Sequence, residues 1–336
     1  MQIVQPYLLF LGDVTDPLAA KTARGVYQWR PEACVGQLRL TEETVSLGIA
    51  DLSLESAWAQ GARTLLLGTA NAGGVIPSHW LSTILAAMEL GFNIASGLHQ
   101  KLTALPAIAE TAARKGVALY DVRHTAAIES VGTGKRREGK RVLTVGTDCS
   151  VGKMYTALSL EAAMIRRGIA AQFKATGQTG IFIAGDGIAV DAVVSDFISG
   201  AVEGLSPSFN DHEWDIIEGQ GSLYHPAFAG VSLGLLHGAQ ADVLILCHEV
   251  GRPHMRHLPH VDMPSLVATM SLNLQMAQRT NPNVTFKGIS LNTSALDEAQ
   301  ATALCHDLEA QFNMPVTDPY RFGIENIVDE LMAVEA

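Results

Sequence analysis

Residues 141–153 read Arg-Val-Leu-Thr-Val-Gly-Thr-Asp-Cys-Ser-Val-Gly-Lys, and this stretch decides the fold. Residues 141–145 are almost wholly apolar or β-branched, as a short buried strand requires. Gly146, Thr147, Asp148, Cys149, Ser150, Val151, Gly152 and Lys153 follow as a turn. Beyond them Met154, Leu158, Ala162 and Ile165 recur at helical spacing, and Arg166-Arg167-Gly168 supplies the basic last turn and the glycine that close a helix. A strand feeding a glycine-bearing turn and then a helix aims several backbone N–H groups at one spot. The helix N-terminus adds partial positive charge there, and a lysine adds a full one. Such a nest fits a pyrophosphate, so this half of the chain reads as a P-loop-type α/β domain.

The spelling departs from the common G-x-x-x-x-G-K-[ST] loop. Five residues rather than four separate Gly146 from Gly152, and Met154 stands where a Ser or Thr hydroxyl would hold magnesium. Gly-Thr-Asp at the front, with Val-Gly-Lys at the back, resembles the loop of dethiobiotin synthetase and related amide-forming P-loop enzymes. The residues leave three readings open: a pyrophosphate-containing ligand without kinase chemistry, ATP chemistry, and a plain strand–helix turn.

Outward from the loop the pattern is that of parallel sheets. Before it, residues 7–11, 64–67, 92–95 and 117–120 read as strands, and 77–90 as a helix stopped by Gly91. Glycine-rich turns follow two of these strands, at Gly12-Asp13 and at residues 68–74. Residues 130–140 are polar and glycine-rich and read as a linker or exposed loop. After the loop, strands are expected at 170–173, 214–217, 242–247, 286–291 and 314–316, with a helix over 294–312. The expected architecture is an N-terminal Rossmann-like parallel-sheet domain, residues 1–135, and a C-terminal P-loop NTPase-like, dethiobiotin-synthetase-like parallel-sheet domain, residues 136–336.

Composition narrows the partners. With 48% hydrophobic and 17% charged residues, the chain has much interior to fill, which suits sheets covered on both faces and a buried homo-oligomer interface. The net charge of −11 opposes binding to nucleic acid or an anionic membrane, and leaves acidic small molecules to local cations. Cys34, Cys149, Cys247 and Cys305 form no CxxC pair and read as free thiols. No signal peptide and no spanning segment are visible, so a cytoplasmic location is expected.

Other constellations fall at strand ends, where α/β proteins bind ligands. Lys174, Thr176, Gln178 and Thr179 follow the second strand of the C-terminal half. Asp186, Asp191 and Asp196 are five apart; five helical steps rotate by about 140°, so at most two could share a site. Glu218 ends a strand in the position of a magnesium- or substrate-orienting acid, followed by Gln220, Ser222, Tyr224 and His225. Arg252 and Arg256 suit carboxylate recognition. His248, His254, His257 and His260 match no familiar metal spacing, and no metal is expected. Asn292 ends a strand and offers the donor–acceptor pair that reads a base edge; it resembles the adenine-side Asn of the dethiobiotin-synthetase group.

Taken together, Gly146–Lys153, Lys174–Gly180, Val190–Phe197 and the Glu218–Pro226 run resemble the D-glutamate N-acetyltransferase family, formerly a domain-of-unknown-function family with a P-loop NTPase-like C-terminal domain. The resemblance covers both halves. It implies an acyltransferase that moves an acetyl group from acetyl-CoA, as co-substrate, to the amino group of D-glutamate or a similar acidic amino acid. On that reading Gly146 to Met154 and Asn292 bind the coenzyme, without magnesium. Glu218, Asp191 and His225 are base candidates, in that order. Lys174 or backbone N–H groups hold the oxyanion, with Arg252 and Lys174 as carboxylate partners. Thr176, Gln178, Thr179, Gln220, Ser222 and Tyr224 line the acceptor site. Two other classes remain: an ATP-dependent ligase or kinase of the dethiobiotin-synthetase type, and a non-catalytic nucleotide-binding protein.

Overall fold

A computed structural model describes residues 2–17, 19–69, 74–124, 129–209 and 214–333. The central part of the glycine-rich turn expected over 68–74, residues 70–73, lies outside the described residues. The chain groups into two compact units, one of residues 1–126 and 177–192, the other of residues 127–176 and 193–336. The sequence reading did not anticipate that residues 177–192 pack with the first unit.

The first unit is a five-stranded parallel sheet of order β2-β1-β3-β4-β5. Its elements are β1 (Tyr7–Gly12), α1 (Lys21–Trp29), β2 (Cys34–Arg39), α2 (Leu54–Ala59), β3 (Thr64–Leu67), α3 (Leu81–Leu90), β4 (Asn93–Ser96), α4 (Pro106–Lys115) and β5 (Leu119–Asp121). β1 and β3 are buried along their whole length, as the apolar runs require of parallel strands covered on both faces. Phe10 meets Trp80 edge-on at 5.2 Å in the core. The edge strand β2, Cys-Val-Gly-Gln-Leu-Arg, mixes polar and apolar residues and carried no recognisable run. At the end of β1, Asp13 accepts from Trp80 Nε1 at 2.8 Å and pairs with His79 Nε2 at 3.0 Å.

The second unit holds a six-stranded parallel sheet of order β13-β12-β9-β6-β8-β7. In chain order its elements run β6 (Lys140–Gly146), α5 (Lys153–Arg166) and β7 (Ala171–Lys174). Helix α6 (Gln178–Ala184) belongs to the first unit, and α7 (Ile198–Leu205), β8 (Trp214–Ile217), α8 (Ala229–Ala239) and β9 (Val243–Glu249) follow in the second. A small antiparallel hairpin, β10 (His254–Met255) and β11 (Leu258–Asp262), precedes α9 (Leu266–Ala277), β12 (Thr285–Asn292), α10 (Glu298–Phe312), β13 (Val316–Thr317) and α11 (Glu325–Ala333). The helix expected from residue 294 begins later because Asp297 caps it: its side chain accepts from Gln300 N, and Gln300 answers from the other side. Among the described residues no helix is long and apolar enough to cross a membrane.

The segment expected as a linker is tied to this unit. Arg137 donates to the Glu203 carbonyl at 2.8 Å and the Ala239 carbonyl at 3.1 Å, joining the ends of α7 and α8. Arg141 is fully buried, donates to Ser206 Oγ at 2.8 Å, and lies over the Phe209 ring at 4.8 Å. Burial, and then the neighbouring Arg141, pull the Arg137 guanidinium down to about 10. Residues 131–136 are exposed, as an exposed loop would be, and the inward contacts come from Arg137 and from Arg141 at the start of the strand.

Candidate functional site

All six strand ends of the second sheet point the same way, and the β6 loop sits at the middle of that edge. Thr147 N donates to the Cys247 carbonyl at 3.1 Å, which holds the start of the loop against β9. Ser150 (φ +55°) and Gly152 (φ +102°) take the left-handed conformation that turns the chain into α5. Lys153 Nζ folds back to donate to the Asp148 carbonyl at 2.7 Å. Its ammonium is buried, and burial pushes its pKa down, opposed by nearby acids that include Asp148 and Glu218.

Asp148 is the fastening of the loop. It is fully buried, and its Oδ2 accepts from Arg252 Nη1 and from Arg256 N, both at 2.7 Å. Its Oδ1 accepts from Cys149 N at 2.6 Å. Arg252 also donates to the Cys149 carbonyl at 2.7 Å and the Ser150 carbonyl at 3.2 Å, and pairs with Glu249. Its expected place on a substrate carboxylate would require exchanging these partners. Asp148, Cys149 and His225 present donor atoms within 4.8 Å of one another. A cation there would compete with Arg252 for the same carboxylate.

Glu218 ends β8 beside the loop. One carboxylate oxygen accepts from Thr176 N at 3.0 Å, and Thr176 Oγ1 returns a bond to the Glu218 carbonyl at 2.6 Å. Gly219 follows under constraint: a Cβ there would lie 1.7 Å from the Thr144 carbonyl oxygen. Its N–H donates to Thr144 Oγ1 at 2.9 Å. Ser222 Oγ donates to the Thr147 carbonyl at 3.0 Å, so the loop after β8 is stitched to the loop after β6.

His225 is buried and stacks on Phe228 with ring centres 4.5 Å apart. Its Nδ1 accepts from Ala227 N, so Nε2 carries the proton and donates to the Arg256 carbonyl, both at 3.2 Å. Lys174 turns back along the sheet, donating to Gln172 Oε1 at 2.7 Å and facing Asp215 at 3.4 Å. Tyr224 is exposed, with its hydroxyl 3.4 Å from the Ala268 carbonyl. The Gln220 carbonyl accepts from Ser232. Asp191, Gln178 and Thr179 belong to the first unit. There Arg123 pairs with Asp191 at 2.6 Å and lies against Gln178, while Thr179 Oγ1 meets Thr22 Oγ1 at 3.4 Å.

Beside the loop lies a cavity of about 580 Å³, bounded by Val151, Gly152, Tyr155, Asn292, Tyr320 and Arg321 among others. The Tyr155 and Tyr320 rings tilt toward each other at 5.9 Å. Asn292 Oδ1 accepts from Ser294 N at 3.1 Å, which fixes the amide at the cavity wall. Thr156, the next aliphatic hydroxyl after Lys153, bonds Ser290 Oγ at 2.7 Å and the Gly152 carbonyl at 3.0 Å, on the buried side of α5.

Sequence reasoning missed Tyr155, Asp318, Tyr320 and Arg321. The last three follow the short final strand, and a loop after an edge-side strand carries the same signal as one after a central strand. It also missed Thr144, and it weighed His248 only as a metal ligand. His248 Nδ1 lies 3.0 Å from Thr147 Oγ1, and burial first, then Arg252, lowers its pKa.

The chain matches two family models: a Rossmann-like N-terminal domain of the DUF1611 family over residues 38–125, and the P-loop domain of the same family over residues 130–328. It is 51% identical over 331 residues to a D-glutamate N-acetyltransferase of Pseudoalteromonas sp., covering 98% of this chain and all of that one. It is 49% identical over 332 residues to a D-glutamate N-acetyltransferase of Tritonibacter scottomollicae, covering 99% and 100%. A crystal structure of a DUF1611 family protein from Anabaena variabilis superposes with a TM-score of 0.83 at 33% identity, covering 98% of this chain and all of that one.

Proposed function

This chain belongs to the DUF1611 family, and we propose that it is an acyltransferase, a D-glutamate N-acetyltransferase that uses acetyl-CoA as donor. The activity rests on the two relatives, which match along essentially the whole chain. The donor rests on one structural observation: a single cavity opens on Gly152 of the phosphate loop and on Asn292, Tyr155 and Tyr320. A ligand with a pyrophosphate and an aromatic base needs that combination, and coenzyme A has both. The absence of a hydroxyl at Met154 is no obstacle, since acyl transfer needs no magnesium.

The loop N–H groups and Lys153 hold the pyrophosphate. Tyr155 and Tyr320 flank the base, and Asn292 reads its edge. Glu218 is the base. Its carboxylate is buried at the end of β8 beside the loop and oriented by Thr176 N. The substrate ammonium gives one proton to Glu218. The free amine attacks the thioester carbonyl, the C–N bond forms and the C–S bond breaks. The thiolate takes the second amine proton and leaves as the thiol. Backbone N–H groups stabilise the oxyanion better than Lys174, whose ammonium is engaged near Asp215.

The test is to supply acetyl-CoA with D- or L-glutamate and follow free thiol, then repeat with ATP and magnesium. Thiol release that requires D-glutamate supports the proposal. ADP formation without thiol release assigns the site to ligase or kinase chemistry instead.

A further inference from the structure

Among the described residues, the cavity beside the phosphate loop has one cationic side chain in its lining, Arg321, and that guanidinium is held in place. Its Nη2 donates to the Leu296 carbonyl at 2.7 Å and the Thr293 carbonyl at 3.3 Å. The nearest carboxylate, Asp318, stands 4.0 Å from Nε and is engaged elsewhere. Asp318 Oδ2 accepts from Thr293 N at 2.9 Å and from Thr293 Oγ1 at 2.5 Å, and Oδ1 accepts from Tyr320 N at 2.9 Å. Arg321 is therefore anchored through Nη2 by neutral carbonyls, Asp318 faces its Nε at 4.0 Å, and among the described residues Nη1 has no hydrogen-bond partner.

Plain adenine nucleotides and coenzyme A share a base, a ribose and a pyrophosphate. They differ on the ribose, where the coenzyme carries an additional phosphate. Lys153 and the loop amides act on the shared part and cannot separate the two. In a chain of net charge −11, a second phosphate needs a local cation of its own. A guanidinium whose Nη1 is still open to a partner fits it, and anchoring of Nη2 by two carbonyls reduces the side-chain entropy lost on binding.

We propose that Arg321, on the wall of the cavity that also opens on Gly152, binds the ribose 3′-phosphate and makes this site prefer coenzyme A to ADP or ATP. This rests on the coenzyme reading above, and it names the group by which the site recognises that coenzyme.

The test compares adenosine 3′-phosphate 5′-diphosphate with ADP, by calorimetry, on the wild type, Arg321→Gln and Arg321→Lys. A charge-assisted contact predicts that the wild type binds the 3′-phosphorylated ligand about tenfold or more tightly than ADP. Arg321→Gln, which can still donate to the carbonyls, binds the two alike, and Arg321→Lys keeps part of the preference. In steady-state transfer, the KM for 3′-dephospho-acetyl-CoA exceeds that for acetyl-CoA at unchanged kcat, and Arg321→Gln removes the difference. Equal binding by the wild type, a preference that survives in Arg321→Gln, or equal loss of both ligands in both variants overturns the proposal. Failure of the coenzyme reading shows separately, as no thiol release from acetyl-CoA by the wild type.

Discussion

Arg252 Nη1 donates to Asp148 Oδ2 at 2.7 Å, joining the phosphate loop to the segment after β9 through a carboxylate with no solvent exposure. Burial alone would lower the Arg252 pKa, but hydrogen bonds to Glu249 and Asp148 outweigh it and raise it. The pair sets the shape of the loop before any ligand arrives, because the same guanidinium also holds two loop carbonyls.

Asp148→Ala removes the acceptor for Arg252, Arg256 N and Cys149 N together. Breaking one side of a buried charge pair costs about 3 kcal/mol or more. Urea unfolding will show a lower midpoint with an unchanged slope, and affinity for pyrophosphate-containing ligands will fall with it. A midpoint equal to wild type would mean the carboxylate is not the fastening described.

Gly219→Ala places a methyl group 1.7 Å from the Thr144 carbonyl oxygen, which is backbone and cannot swing away. Overpacking of this kind costs about 3 kcal/mol, and here it also moves Glu218. The variant will melt lower and lose transfer activity. Thr144→Val, which removes only the acceptor for Gly219 N, will be milder in both measurements.

Glu218→Gln keeps the shape of the side chain and removes the base. Loss of a general base lowers kcat by roughly a hundredfold or more, with the donor KM little changed. Stopped-assay kinetics with acetyl-CoA and D-glutamate give both numbers. A kcat equal to wild type assigns the base elsewhere.

His248 gives a pH dependence with a defined sign. Its folded pKa lies below the ordinary imidazole value because it is buried and close to Arg252. The unfolded chain therefore binds more protons as pH falls below about 6.5, so stability is full above that value and declines as pH drops toward the folded pKa. Chemical denaturation between neutral and mildly acidic pH will show this loss, and His248→Gln will show less of it.

The turn at Gly152 and the helix behind it were legible because they follow from local chemistry: a buried strand, glycines, and a lysine at a helix start. The strands β6, β8, β9 and β12 were legible as apolar runs. Edge strand β2 was not, because it mixes polar with apolar residues and only its central two are fully buried. Arg137 looked like part of a solvated linker, since no sequence pattern announces that backbone carbonyls at the ends of two helices will hold it.

At the site the division is the same. The loop after β6, Glu218 and Asn292 were legible because each stands at a strand end with a characteristic residue. What the charged residues around them touch came from the packing of the chain. Arg252 turned inward to Asp148, Lys174 turned back toward Asp215, and Arg321 came from a loop far along the chain to the cavity beside Gly152. The reason is physical. Backbone conformation is set by neighbours in sequence, but the partner of a charged side chain is whichever opposite charge or carbonyl the packing of strands and helices leaves within reach.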